Sequence, residues 1–255
     1  RCETRLSSGL THSRQKTAKD DRTPMILNHQ HGFIFVHVPK AAGTTITRAL
    51  SPLTTFRDLE LGGTKYGEAI QELFASRFGL RKHSTGAVIR GKCPPHIWRR
   101  FFVFAFVRSP YARAYSVYRF LQRWKEGPHH AEVIDLDFTA FLQSPKLDGN
   151  EIEIARPQAH WLCKDGAVLP GIDFVGRVES FAEDFSFVLS VIHRTRTGWD
   201  EERQDNVSAA AGEWEQHMSP ANIARIEALY AEDFAIWDFP RYEPVSGIPD
   251  QVASG

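Results

Sequence analysis

Phe33-Ile34-Phe35-Val36-His37-Val38 runs directly into Pro39-Lys40-Ala41-Ala42-Gly43-Thr44-Thr45, and the join between these two stretches decides the fold. The first six residues are apolar apart from His37, the composition of a strand buried on both faces of a parallel sheet. After the small-residue loop, Ile46, Ala49 and Leu50 recur at helical spacing. A strand, a loop of small residues and a helix start together make an anion cradle. The backbone N–H groups can turn inward, and the helix adds its partial positive charge. Lys40 contributes a full charge, while Thr44 and Thr45 contribute hydroxyl donors. The order is not that of a Walker A loop, in which the lysine follows the glycines; here Lys40 precedes Gly43. Taken alone, the loop also reads as an ordinary tight turn with a solvated lysine.

A second unit repeats the pattern. Phe101 to Val107 is a continuous apolar run of strand length, followed by Arg108-Ser109-Pro110 and a helix starting near Tyr111, with Ala114, Val117, Tyr118 and Leu121 as its apolar stripe. Arg108 falls at the carboxyl end of a strand, the edge where open α/β sheets bind ligands. Ser116 lies further along the helix, with Arg113 three residues before it on the same face. A guanidinium and a hydroxyl converging there suit a second phosphate. The alternative is a structural arginine capping the sheet.

Outward from these units, strands and helices alternate. Residues 51–67 read as loop. Ile70, Leu73, Phe74 and Phe78 predict a helix. Gly127 to Asp137 reads as a surface connection, with Asp137 capping a helix that carries Phe138, Phe141 and Leu142. Glu151 and Glu153 alternate with Ile152 and Ile154 as in a half-exposed strand. Phe174 to Val178 is a third strand, and Ser180 with Glu183 form a capping box for the helix after it. Ser219-Pro220 starts a late helix bearing Ile223, Ile226, Leu229 and Tyr230. The pattern predicts an α/β fold, a P-loop-like, mainly parallel sheet flanked by helices. Residues 25–255 read as a single domain, and the polar residues 1–24 as a disordered leader or an added extension.

Composition narrows the function classes. The 31 basic residues balance 31 acidic ones, so bulk attraction to nucleic acid is not indicated and an anion site must be built locally. Three widely spaced cysteines, Cys2, Cys93 and Cys163, do not make a disulfide framework. With no signal peptide in residues 1–24 and no membrane-spanning apolar run, they predict a reducing, cytoplasmic setting. Cys93-Pro94-Pro95-His96 lacks a second pair at zinc spacing, so no metal is expected. Trp98, Trp161, Trp214 and Trp237 read as packing residues.

The two units together resemble the donor-binding segments of the membrane-type and bacterial sulfotransferases, which include carbohydrate sulfotransferases. Phe35 to Thr45 is similar to their 5′-phosphosulfate loop, and Phe104 to Tyr118 to their 3′-phosphate segment, usually F-V-R-[DN]-P-x-x-R-x-x-S-x-Y. Ser109 departs from the usual Asp or Asn but leaves Arg108 and Ser116 in place. Lys82-His83-Ser84-Thr85, Arg156-Pro157-Gln158, Phe174 to Glu179, Asn206-Val207-Ser208 and Leu229 to Phe234 resemble later blocks of the same family, so the likeness runs from about Phe33 to Phe239.

The resemblance implies 3′-phosphoadenosine 5′-phosphosulfate as donor, a hydroxyl-bearing acceptor such as a glycan or small alcohol, and no catalytic metal. It assigns Pro39, Lys40, Ala41, Ala42, Gly43, Thr44, Thr45, Arg108, Ser116 and Ser208 to the nucleotide, with Lys40 at the leaving phosphate oxygen. Asn206 and Ser208 read either as a closing segment over the nucleotide or as an exposed turn. A histidine suits the general base. Among eleven histidines, His83 is the candidate because a family-like block centres on it; His37 and His160 are the alternatives. Thr85 would orient the ring or touch the acceptor. Two other functions compete. A nucleotide phosphotransferase needs the Walker order and a magnesium carboxylate. A catalytically inert nucleotide-binding module would keep the fold without turnover.

Overall fold

The computed structural model describes residues 25–193 and 212–242. In chain order these form strands β1 (Met25–Asn28) and β2 (Phe33–Val36), helix α1 (Gly43–Leu50), strand β3 (Leu59–Leu61), and helices α2 (Lys65–Phe78), α3 (Gly86–Lys92) and α4 (Pro95–Arg100). Strand β4 (Phe102–Val107) leads into α5 (Pro110–Arg123), followed by the short helices α6 (His130–Val133), α7 (Phe138–Leu142), α8 (Pro145–Asp148) and α9 (Ala159–Leu162). A two-strand ribbon, β5 (Cys163–Lys164) and β6 (Ala167–Val168), precedes β7 (Phe174–Arg177), α10 (Phe181–His193), α11 (Pro220–Leu229) and α12 (Ala231–Trp237).

The main sheet has the order β3-β1-β2-β4-β7. The central pairs β2–β4 and β4–β7 are parallel, with Phe35 opposite Phe104 and Val107 opposite Arg177. The other two pairs, β1–β2 and β1–β3, are antiparallel, so the sheet is mixed rather than mainly parallel. Only the short turn 29–32 joins β1 to β2, and a turn of that length returns the chain antiparallel. Asn28 builds this turn: its side-chain oxygen accepts from the His31 N–H at 2.7 Å and its amide donates to the Leu53 carbonyl at 2.9 Å.

Three local expectations change as well. Part of the predicted loop 51–67 is strand β3. The Glu151–Ile154 alternation is not a strand: residues 153–155 form a 3₁₀ turn with Ile152 buried beside it. The capping box before α10 fails because Asp184, not Glu183, does the work, accepting from the Ser180 hydroxyl at 2.8 Å and the Arg177 N–H at 2.6 Å. The caps expected from Asp137 and Ser219 are present, accepting from the N–H groups of Ala140 and Asn222.

Strand alternation divides the core in two. Phe33 and Phe35 of β2 and Phe104 and Phe106 of β4 point to one face, where α1 supplies Ile46 and Leu50 and α10 supplies Phe181, Phe185 and Val188. Ile34, Val36, Val103, Ala105 and Val107 point to the other, under α5, α9, α11 and α12. Phe104 is central, with ring centroids 5.3 Å from Phe35 and 5.5 Å from Phe102. Gly176 of β7 is a glycine because the Phe106 ring lies 2.6 Å from where its Cβ would stand. Among the described residues no helix is long and apolar enough to cross a membrane.

Phe104→Ala should cost about 3–5 kcal/mol in chemical denaturation, since it empties a packed site between two helices and two strands. Phe56, 93% exposed, is the control, and Phe56→Ala should stay within about 0.5 kcal/mol of wild type.

Candidate functional site

Because β2, β4 and β7 run parallel, their carboxyl ends meet at one edge of the sheet. The segments leaving that edge are 37–42, Arg108-Ser109 and the 3₁₀ turn Val178–Ser180. The first two carry Pro39 to Ala42 and Arg108 and lead into the helices that bear Gly43 to Thr45 and Ser116, so these candidates follow neighbouring strand ends.

The first loop holds two non-glycine residues in the left-handed region, Lys40 at φ 64° and Ala42 at φ 59°. Left-handed and right-handed residues in alternation aim successive N–H groups to one side, the geometry of an anion nest. Helix α1 begins at Gly43 with no side-chain cap. Lys40, Ala42 and Thr44 are half-exposed, whereas Pro39, Ala41, Gly43 and Thr45 are buried.

One face of α5 meets this loop. Arg113 donates from Nε to the Pro39 carbonyl at 3.0 Å, and the Lys40 ammonium lies 4.3 Å from the centre of the Phe120 ring. Ser116 is three residues after Arg113 and four before Phe120, so it occupies the same helical face between two contacts to the loop. It is half-exposed, like Arg108. Arg113 is not: it is 1% exposed and its second nitrogen donates to the Ile154 carbonyl at 2.9 Å. It is therefore a strut under the loop rather than a partner of Ser116 toward an anion.

The Arg108 backbone is held at both polar groups by Gln158. Its N–H donates to Gln158 Oε1 at 2.8 Å, and its carbonyl accepts from Gln158 Nε2 at 2.8 Å. Glu179 holds the next residue, accepting from the Ser109 N–H at 2.7 Å. Ser109 makes no side-chain cap to α5, whose start is instead set by Pro110. Burial pulls the Arg108 pKa below the ordinary guanidinium value; the Glu179 carboxylate opposes this and the Arg113 charge adds to it.

His83 lies between α2 and α3 with its ring centroid 4.6 Å from that of His37. Its carbonyl accepts from the Trp161 indole at 3.2 Å. Thr85 is occupied as the cap of α3, accepting from the Val88 N–H. His37 is 2% exposed, and a Cβ on Gly43 would run into its imidazole. His160 lies elsewhere, exposed on α9 beside Arg156 and lining a separate 350 Å³ hollow with Asn150, Pro157 and Glu232.

Ser208 and Asn206 lie outside the described residues. Trp98, Trp161 and Trp237 are buried packing residues. Burial raises the Cys93 thiol pKa, and burial with Glu232 and Asp233 pushes that of Cys163 up to about 12, so neither thiol is activated by its surroundings. Among the described residues no three His, Cys, Asp or Glu side chains cluster as metal ligands.

Three participants escape a reading by motif: Gln158, Phe120 and Asp233, which is 0% exposed and holds Gln158 from behind. Gln158 and Asp233 do sit inside family-like blocks, and that was their available signal. Burial raises the Asp233 pKa, while Arg113 and the N–H groups of Gln158 and Ala159 pull it back toward the charged form.

Gly43→Ala should destabilise the protein by about 1–3 kcal/mol by forcing a methyl group into the His37 ring. The Gly43→Ala/His37→Ala double variant should lose less than the sum of the two single changes. Additive losses in thermal or denaturant unfolding would mean that the two residues do not compete for that space.

The family model described as Sulfotransferase family matches residues 23–240. Carbohydrate sulfotransferase 14 of Danio rerio is 26% identical over 191 residues, covering 65% of this chain and 47% of that protein. Carbohydrate sulfotransferase 12 of Mus musculus is 24% identical over 272 aligned positions, covering 86% of this chain and 60% of that protein. The chain thus spans about half to three-fifths of the length of these relatives. No solved structure matches it. With a family match that takes in every described strand and helix, the chain belongs to the sulfotransferase family.

Proposed function

We propose that the chain transfers a sulfonate group from 3′-phosphoadenosine 5′-phosphosulfate to a hydroxyl of a glycan or small alcohol. The observation that carries this reading is the placement, on adjacent carboxyl ends of β2 and β4, of the Lys40 loop and of Arg108 with Ser116, while His83 stands against His37 beside the same loop. The names of the two relatives favour a glycan among acceptors.

The residues fit such a donor. The left-handed turns at Lys40 and Ala42 shape the loop for an oxyanion at the 5′ side, and Arg108 and Ser116 offer a charged and a neutral donor for a 3′-phosphate. When bound, the donor supplies an activated sulfonate on a phosphate leaving group. His83 takes the acceptor's proton as the acceptor oxygen forms its bond to sulfur. Lys40 meets the charge that grows on the departing phosphate oxygen as the old S–O bond breaks. Sulfonate carries less charge than a transferring phosphoryl group, so positioning and fixed positive charge supply most of the catalysis.

Turnover of labelled donor with a panel of acceptors tests the reading. Adenosine 3′,5′-bisphosphate should raise the melting temperature without magnesium, and ATP should not; the opposite result would favour a phosphotransferase. Nucleotide binding with no turnover on any acceptor would favour an inert module. Lys40→Ala should lower kcat by about 10²–10³-fold while weakening bisphosphate binding far less, because its charge is needed mainly in the transition state. Equal losses would remove Lys40 from that role.

The base assignment is read from the pH–rate profile. In wild type the rate should fall on the acid side as the imidazole takes up a proton and can no longer accept one. His83→Asn should lose about 10²–10⁴-fold in rate, keep donor affinity, and lack that acid limb. If His83→Asn keeps the limb and most of the rate, the base is another group.

A further inference from the structure

We propose that Gln158 is a positioning residue for Arg108, and that its side-chain amide sets the enzyme's preference for a nucleotide bearing a 3′-phosphate. The proposal rests on the reading of Arg108 as the 3′-phosphate contact.

Strand β4 ends at Val107, where its pairing with β7 also ends, Val107 lying opposite Arg177. Arg108 is thus the first residue past the paired register, where its backbone N–H and carbonyl meet a side chain. Gln158 takes both, at 2.8 Å each. Its amide presents an acceptor and a donor side by side, as one residue of a neighbouring strand would, and so continues the ladder by one step.

This is not a pliable surface contact. Gln158 is 0% exposed and sits just before α9. The Asp233 carboxylate accepts from its backbone N–H at 2.8 Å, from the Ala159 N–H at 2.9 Å and from Gln158 Nε2 at 3.4 Å. The Arg108 backbone dictates which way the amide faces, because its N–H can only donate to the amide oxygen and its carbonyl can only accept from the amide nitrogen, which leaves that nitrogen toward Asp233. On the far side Glu179 holds the Ser109 N–H at 2.7 Å. The main chain at Arg108 is fixed at consecutive polar groups, so the root of the guanidinium is held in place. A phosphate contact made from so fixed a root loses little entropy on binding.

The test compares affinities for adenosine 3′,5′-bisphosphate and adenosine 5′-phosphate by calorimetry, in wild type, Arg108→Ala, Gln158→Met and Gln158→Glu. Methionine keeps the volume and removes both bonds. Glutamate keeps the acceptor, removes the donor and sets a second carboxylate against Asp233. In Gln158→Met the bisphosphate affinity should fall about tenfold while the 5′-phosphate changes less than about twofold, as a displaced anchor predicts. A residue that merely fills the core would lower the melting temperature and leave that ratio unchanged, which would overturn the proposal. If Gln158→Met does not fold, the same ratio in Gln158→Glu decides. Should wild type show no preference, or Arg108→Ala retain it, the assignment of Arg108 itself falls and takes this proposal with it. A preference lost in Arg108→Ala but intact in both Gln158 variants overturns the positioning role alone.

Discussion

A guanidinium taken out of water must be answered by groups that stay where they are, and Arg113 is such a guanidinium. Burying an ion costs several kcal/mol unless its donors and charge are matched. The match here comes from distant parts of the chain. The Pro39 carbonyl lies 74 residues away in sequence and the Ile154 carbonyl 41. Asp233 adds an opposing charge, and the rings of Trp161 and Tyr230 flank the guanidinium at 5.4 and 5.9 Å. These contacts fix the root of the Lys40 loop, the 3₁₀ turn after Ile152 and the start of α12 relative to α5, although Arg113 Nη1 has no hydrogen-bond partner among the described residues.

The consequence reaches the second segment at the sheet's carboxyl edge. The carboxylate that faces Arg113 also holds Gln158, and Gln158 holds Arg108. Asp233 is thus shared between a charge that sets the first segment and an amide that sets the second. This accounts for a buried carboxylate in the first turn of α12, where an apolar side chain would pack at lower desolvation cost. The two segments are tied together from behind, through the core.

What could be read in the sequence follows the reach of each interaction. The alternating phenylalanines of β2 and β4 are local, and they disclose two parallel strands with two buried faces. Lys40, Arg108 and Ser116 follow those strands at fixed offsets, so their place beyond the carboxyl ends of two neighbouring strands was legible too. β1 was not, because a four-residue run of Met25-Ile26-Leu27-Asn28 has no alternation to betray it, and β3 is only three residues set among polar ones. Arg113 shows the limit most clearly. Helical spacing places it on the face of Ser116 but says nothing of depth, and its partners are backbone carbonyls that carry no side-chain signature. Gln158 lay within a family-like block, but its part was hidden because it meets the Arg108 main chain 50 residues away.

The glycine of the loop makes a related point about cause. Lys40 and Ala42 bear the positive φ values, at about 1–2 kcal/mol each for a side chain in the left-handed region, while Gly43 begins the helix. Backbone freedom is therefore not why Gly43 is glycine. The His37 imidazole fills the space of its Cβ, and the same ring meets His83 across 4.6 Å. A larger residue at 43 would have to push His37 toward His83, or push the helix start away from the sheet. Either movement alters the separation between the anion loop and the proposed base. The absence of one methyl group thus couples the two halves of the site, and the coupling passes through the buried His37 ring.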